Sequence, residues 1–205
     1  MSKNVDHIFY INLDRRPDRK EHIETQLSKY DLTGERYAAI NTPHSGIVGC
    51  GFSHLNVLKL ARERNYKNVL ILEDDFEFIV SKEEFEHKLE LFFQLNIEYD
   101  VVMISHLIQK SQEITEMPEI SFIRKIIDGQ TASGYIVSSH FYDTLINLYE
   151  ETTILLEKTN HHWLYANDMC WKKLQPGGNW FYFTEPLGRQ RTDYSDNKMC
   201  FVKNT

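Results

Sequence analysis

The chain has 205 residues, a formal net charge of −7 and three cysteines. This length suits one large domain or two small ones, which bury about 70% of the unfolded surface without help from disulfides. The acidic balance excludes a nucleic-acid backbone as the main partner; Cys50, Cys170 and Cys200 form no CxxC pair and no Cys/His metal pattern, as expected in a reducing compartment.

In chain order, His7 to Leu13 reads as a first strand and Arg15 to Tyr30 as a first helix. Pro17 suits its first turn, and Ile23, Leu27 and Tyr30 recur at helical spacing to make an inward face. Tyr37 to Ile40 is a short strand, and Asn41 to Gly46 is rich in turn residues. Gly46-Ile47-Val48-Gly49-Cys50-Gly51 matches neither a Walker A loop nor GxGxxG and is expected simply to bend the chain before a helix from about Phe52 to Arg64. Asn68 to Leu72 is a third strand, Lys82 to Leu95 a helix and Asp100 to Ile104 a strand. Gln109 to Pro118 is polar and reads as loop. Phe122 to Ile127 and Ala132 to Val137 are expected to pair around Asp128-Gly129, followed by a helix from Ser138 to Glu150 with Ser138 or Ser139 as cap. The last third, rich in Trp, Tyr, His, Gly and Asp, contains one expected helix from about Leu164 to Leu174 and has the composition of a segment that builds a binding site on the scaffold before it.

Alternating strands and helices imply an α/β domain with a mostly parallel sheet. Without internal repeat or linker, residues 1–205 are taken as a single domain: about 7–150 as scaffold and about 151–200 as the acceptor and catalytic segment. The start, Met1-Ser2-Lys3-Asn4-Val5-Asp6-His7, lacks a basic-then-apolar leader, and no run of about 18 apolar residues occurs. A cytoplasmic protein with no membrane span is expected.

Chemistry concentrates where Val69-Leu70-Ile71-Leu72 runs into Glu73-Asp74-Asp75. Three carboxylates at one strand end repel each other and are relieved by a hard cation such as Mg²⁺ or Mn²⁺, at the sheet edge where α/β proteins gather ligands. A solvated acidic turn is the plainer reading. Asn12-Leu13-Asp14-Arg15-Arg16-Pro17-Asp18-Arg19 places three arginines at a strand-to-helix turn, facing an anion or solvated while Asp14 and Asp18 cap the helix. Ser53-His54 sits at the start of the expected second helix, to touch phosphate or ribose or to cap. His161-His162 is a metal pair or a surface pair. There is no GxSxG elbow and no glycine fingerprint after the first strand, which argues against a nucleophilic hydrolase and a dinucleotide oxidoreductase. What remains is group transfer on an anionic, nucleotide-linked substrate with a divalent metal.

The order Ile11 to Arg19, Gly49-Cys50-Gly51-Phe52-Ser53-His54, Leu72-Glu73-Asp74-Asp75, Ser133-Gly134-Tyr135-Ile136-Val137-Ser138, then Pro186-Leu187-Gly188-Arg189-Gln190 with Ser195-Asp196, resembles glycosyltransferase family 25 over nearly the whole chain. That family includes lipopolysaccharide-type galactosyltransferases of bacteria and collagen galactosyltransferases. The resemblance implies a GT-A-type nucleotide-sugar-binding fold, a UDP-sugar donor, a divalent ion (Mn²⁺ or Mg²⁺) and inversion to a β-linkage. It assigns Asn12, Leu13, Arg15, Arg19, Ser53, His54 and Gln190 to the donor side, with Arg19 contacting the donor or bracing the loop. Asp75, Glu73 and Asp74 stand in place of the Asp-x-Asp metal motif. Strand alternation turns Glu73 and Asp75 the same way, which makes Asp75 the first choice of ligand and leaves the role of Glu73 open. Asp168 matches a late family aspartate and is the candidate base, or else a helix cap; Asp196 is the second candidate. Of Tyr135, Trp163, Trp171 and Trp180, most belong to the core and one or two stack on an acceptor sugar. The acceptor is a saccharide, a lipid-linked glycan or a hydroxylated peptide, reached with a recruiting partner protein if needed. A nucleotide-sugar-binding protein without transfer, and a metal-dependent nucleotidyl- or phosphotransferase, are the competing readings.

Overall fold

A computed structural model describes residues 4–191, 193–195 and 200–202. The elements in chain order are β1 (His7–Asn12), α1 (Pro17–Lys29), β2 (Glu35–Ala38), α2 (Gly46–Glu63), β3 (Asn68–Glu73), β4 (Phe76–Phe78), α3 (Lys82–Gln94), β5 (Val101–Met103), β6 (Leu107–Gln112), β7 (Ile123–Gln130) and β8 (Gly134–Ser138). Then come α4 (Tyr142–Thr159), α5 (His162–Tyr165), α6 (Asn167–Cys170), β9 (Trp180–Phe183), β10 (Gly188–Gln190), β11 (Asp193–Ser195) and β12 (Cys200–Val202).

The central sheet has eight strands in the order β2-β1-β3-β8-β5-β9-β7-β6. β1 is parallel to β2 and β3, and β5 to β9; β8 opposes both β3 and β5, β7 opposes β9, and β6 opposes β7. Six of the eight strands therefore point one way, with β7 and β8 against them. The expected mixed α/β fold with a mostly parallel sheet is observed.

Residue alternation divides the core between the two faces of this sheet. Phe9 and Ile11 of β1, Val69 and Ile71 of β3, and Val101 and Met103 of β5 pack with Leu55, Val57 and Leu58 of α2 and Leu145 and Tyr149 of α4. Their neighbours Ile8, Tyr10, Leu70, Leu72, Val102 and Ile104 pack with Ile23 and Leu27 of α1 and with Phe85 and Leu89 of α3. Central strands buried on both sides have to read as unbroken apolar runs, which is why β3 was visible in the sequence.

Four expectations are corrected. The glycine run Gly46 to Gly51 does not bend the chain but forms the first turns of α2. No described glycine has a positive φ, so these glycines serve close approach: a Cβ on Gly49 would stand 2.2 Å from the Ile40 carbonyl oxygen, and one on Gly51 2.9 Å from Thr153. The segments expected to pair around Asp128-Gly129 do not pair, because β8 inserts between β3 and β5 while β7 lies between β9 and β6. The polar stretch from Gln109 opens as strand, since β6 is an edge strand with both faces largely exposed and so needs no apolar alternation. The helix expected from Leu164 to Leu174 is broken into α5, α6 and a short 3-10 turn at Trp171–Leu174. Tyr135, Trp171 and Trp180 are fully buried, whereas Trp163 is exposed. Among the described residues no helix is long and apolar enough to cross a membrane.

Gly49→Ala is expected to destabilise the fold by about 1–3 kcal/mol through forced displacement of the 39–42 segment. Gly177→Ala, where an added Cβ meets nothing within 4 Å, should be close to neutral. Urea unfolding of the two variants, read as a shift in midpoint at unchanged slope, checks both.

Candidate functional site

The carboxyl ends of β1 and β3, the start of α2 and the returning strand β10 enclose a cleft of about 710 Å³, open solvent included. Its lining includes Leu13, Arg15, Arg19, Cys50, Glu73, Asp74, Asp75 and Gln190, together with Ile40, Asn41 and Thr42 from the segment after β2.

The chemistry follows from how β3 ends. Its odd residues face α2 and its even residues face α1, so Glu73 turns toward α2 and Asp74 toward α1. Glu73 Oε1 lies 3.2 Å from His54 Nε2 and accepts from the Cys50 thiol at 3.5 Å. Asp74 accepts from Asn12 Nδ2 at 2.8 Å and from Arg19 Nη1 at 3.0 Å. Alternation stops there because β3 ends at Glu73 and a turn follows. Asp75 thus shares Arg19 with Asp74, at 3.1 Å, and shares Gln190 with Glu73, whose Nε2 lies 3.1 Å from Asp75 Oδ2 and 3.4 Å from Glu73 Oε2. β10 delivers Gln190 by pairing antiparallel with β4, with Gln190 opposite Phe76, and the Arg191 N–H donates to the Asp75 carbonyl at 2.8 Å.

These groups are barely solvated: Asp74 and Asp75 are each 7% exposed and Arg19 9%. Burial, reinforced by the charge of Glu73 and opposed by Arg19, pushes the Asp75 carboxyl up to about 7. Burial also raises Asp74 against the pull of Arg19. Burial works in the same direction on Glu73, but the hydrogen bonds from His54 and Cys50 outweigh it and its pKa is lowered. The guanidinium of Arg19 is desolvated, yet Asp75 and Asp74 overcome that and raise its pKa.

The sequence candidates sort by position. Leu13, Arg15, Arg19, Glu73, Asp74, Asp75 and Gln190 line the cleft. Arg15 also donates to Asn41 Oδ1 across it at 2.9 Å. Asn12, Ser53 and His54 stand behind the wall, at most 1% exposed. Asn12 holds Asp74, accepts from Arg36 Nε and donates to the Arg16 carbonyl. Ser53, within α2 and not at its start, accepts from the Ile40 N–H at 2.8 Å and donates to the Gly49 carbonyl at 2.6 Å, pinning the segment after β2. Asp168 lies on α6, whose cap position is Ala166, and its Oδ2 accepts from the Thr131 N–H at 3.2 Å. Burial raises Asp168, with Glu73 adding to the rise. Asp196 lies outside the described residues. His161 and His162 are exposed and pack around the ring of Trp163.

A hard divalent cation fits what is present. Asp75 Oδ1 is buried without a hydrogen-bond partner among the described residues, and buried carboxylate oxygens seldom stay so. Both oxygens of Asp74 are engaged by Asn12 and Arg19 and both of Glu73 by His54, Cys50 and Gln190, which leaves Asp75 Oδ1 as the carboxylate oxygen of the three with no partner among the described residues.

Comparison with known proteins agrees with this setting. No family model matches the chain. A "Glycosyltransferase 25 family member" of Drosophila melanogaster is 29% identical over 102 aligned positions, covering 37% of this chain and 17% of that protein. One of Drosophila pseudoobscura pseudoobscura is 30% identical over 101, covering 36% and 16%. The chain thus spans about a sixth of the length of these curated relatives. Among solved structures, A197 from STIV superposes with a TM-score of 0.54 at 13% identity, covering 98% of this chain and 95% of A197. A glycosyltransferase involved in the glycosylation of the major capsid of PBCV-1 gives 0.50 at 12% identity, covering 86% and 79%. The resemblance to family 25 is borne out over a little more than a third of the chain, and the fold is one that a glycosyltransferase uses.

Because the Asp75 pKa is raised in the folded state, the native protein binds this proton more tightly than the unfolded chain does. The ionised form therefore costs stability above pH 7, and the cost disappears as pH falls through about 7 toward the unfolded value of 3.8. In metal-free protein, the stability of Asp75→Asn minus that of wild type should be smallest near pH 4, rise up to pH 7 and stay level above. Chelator-treated samples unfolded in urea across that range test it.

Proposed function

We propose that this chain is the catalytic domain of a metal-dependent inverting glycosyltransferase, moving a hexose, galactose or glucose in the first instance, from a UDP-sugar to a hydroxyl of a saccharide, lipid-linked glycan or hydroxylated peptide. The observation that carries the reading is the unpartnered, buried oxygen of Asp75 in a cleft lined by arginines, at the end of β3 in a fold shared with a glycosyltransferase. The similarity to family 25 members supports the same class.

Asp75 and Glu73 would hold Mn²⁺ or Mg²⁺, which supplies neutralisation of the charge that develops on the departing diphosphate. Arg19 acts as a brace: its contacts with Asp74 and Asp75 fix both carboxylates. Arg15, reaching across the cleft to Asn41, is the group assigned to the donor phosphates. Ile11, Leu13, Ala39 and Ile40 make an apolar wall against which a nucleobase excludes water. Gln190 orients the metal-side carboxylates through its amide. On the acceptor side, assigned to the segment from residue 151 onward, Asp168 takes the proton of the attacking hydroxyl. Its raised pKa brings it closer to neutrality than an ordinary carboxylate, which suits a general base. The donor-binding, non-transferring protein and the nucleotidyl- or phosphotransferase are distinguished by product, since only transfer releases UDP together with a glycosylated acceptor.

With Mn²⁺ present, UDP at about a hundred times its Kd should stabilise the protein by about 2.7 kcal/mol, a midpoint rise of roughly 5–10 °C. The rise should be absent with chelator and in Asp75→Ala. Asp168→Asn should keep that shift and lower turnover by about 10²- to 10⁴-fold. A wild-type protein with no nucleotide-dependent shift would remove the donor-site reading.

A further inference from the structure

Behind the carboxylates lies a second group of donors of different chemical character. Cys50 and His54 are four residues apart on α2, so both side chains leave the same helix face. That face meets Glu73 at the end of β3. One ligand atom from each of Cys50, His54 and Glu73 lies within 4.8 Å of the others.

The separations can be compared with those of a coordination shell. With zinc–sulfur bonds of about 2.3 Å and zinc–nitrogen or zinc–oxygen bonds of about 2.1 Å, tetrahedral ligands stand about 3.4–3.6 Å apart. His54 Nε2 and Cys50 Sγ lie 3.2 Å and 3.5 Å from the same oxygen, Glu73 Oε1. Two of the three separations are therefore those of a tetrahedral shell to within a few tenths of an ångström, and the third, between the Cys50 and His54 ligand atoms, is at most 4.8 Å.

The surroundings of His54 favour a ligand role. The ring is fully buried, and its Nδ1 lies 2.8 Å from the Tyr135 hydroxyl. A hydroxyl can donate or accept. When Nε2 carries a hydrogen toward Glu73, Tyr135 donates to Nδ1; when Nε2 binds a metal, Nδ1–H donates to Tyr135, the outer partner that metal-bound histidines keep. Cys50 and Glu73 both line the cleft, so the cluster can be reached from it.

We propose that Cys50, His54 and Glu73 form a binding site for a thiophilic divalent cation, Zn²⁺ above all, distinct from the hard-cation site assigned to Asp75. Thiolate and imidazole select Zn²⁺ over Mn²⁺ and Mg²⁺, and a thiolate with one carboxylate cancels the charge of the dication. Glu73 is common to both sites. Zn²⁺ held by Cys50 and His54 engages the carboxylate that the Asp75 site needs, so the two cations compete for it. Binding at Cys50 does not depend on the protein being a transferase.

Co²⁺ is the spectroscopic probe. Added to the full-length, metal-free protein, it should give tetrahedral ligand-field bands and a thiolate-to-cobalt charge-transfer band, and one equivalent of Zn²⁺ should abolish both. Cys50→Ser should remove the charge-transfer band, whereas Cys170→Ser and Cys200→Ser should retain it. Tyr135→Phe, which removes only the outer hydroxyl, should weaken Co²⁺ binding by about 10- to 100-fold. Asp75→Ala should keep the cobalt spectrum while losing the UDP–Mn²⁺ thermal shift, so failure of this site and failure of the donor-site reading give different results. An octahedral spectrum without charge transfer in the wild type, or a charge-transfer band that survives Cys50→Ser, would overturn the proposal.

Discussion

The hydrogen-bonded ion pairs from Arg19 to Asp74 and Asp75 are the constraint on which the site depends. β3 is buried on both faces and emits three carboxylates where it leaves the core, so their charge cannot be diluted by solvent. One guanidinium bridges two of them. If all three were ionised they would carry three negative charges against the single positive charge of Arg19, and the difference equals that of one divalent cation. Removing Arg19 would leave two buried carboxylates uncompensated, a change that costs about 3–5 kcal/mol where one partner of a buried pair is lost. The site is held together by an interaction that does not fully satisfy it, and the unpartnered Asp75 oxygen is where the deficit is localised.

The strand's period of two distributes the chemistry between two helices. Glu73 continues the row of Val69 and Ile71 and meets α2; Asp74 continues the row of Leu70 and Leu72 and meets α1. Each helix therefore brings its own kind of partner, thiol and imidazole on one side, guanidinium on the other. Asp75 escapes this rule only because the strand has ended, and it is recovered by β10, which returns from late in the chain to place Gln190 across both ends of the acidic run. Cleft residues far apart in sequence are thus gathered by one strand end.

Where local pattern and tertiary role coincided, the sequence was readable. β1, β3 and α1 announced themselves by burial on two faces or by helical spacing, and the acidic run and the arginine turn were found from their chemistry and do line one cleft. Gly46 to Gly51 misled because glycine signals conformational freedom and close approach with the same letter. Here the meaning was approach, against Ile40 and Thr153. Reading those residues as a bend put Cys50 outside the helix and concealed that it shares a face with His54. β7 and β8 misled because adjacent strands usually pair, and nothing local reveals that four other strands, β3, β5, β9 and β6, take their edges. Asp168 could be seen only as base or cap; its bond to Thr131 joins residues 37 apart in sequence and has no local signature.

That bond connects the two halves of the proposed chemistry. β8 runs against β3, so the residues between β7 and β8 lie at the same sheet edge as the end of β3. In this loop the Thr131 N–H donates to Asp168, and two residues later the Ser133 carbonyl accepts from the Glu73 N–H at 2.9 Å. Thr131 has a φ of 90°, a conformation that a β-branched residue adopts only under compulsion, at a cost of about 1–3 kcal/mol. The strain has a geometric purpose: it turns one amide outward to Asp168 just before the chain enters β8 and fixes Glu73. Glu73 and Asp168 are thus both tied to the three consecutive residues 131–133, so this short loop helps to set the spacing between the two carboxylates.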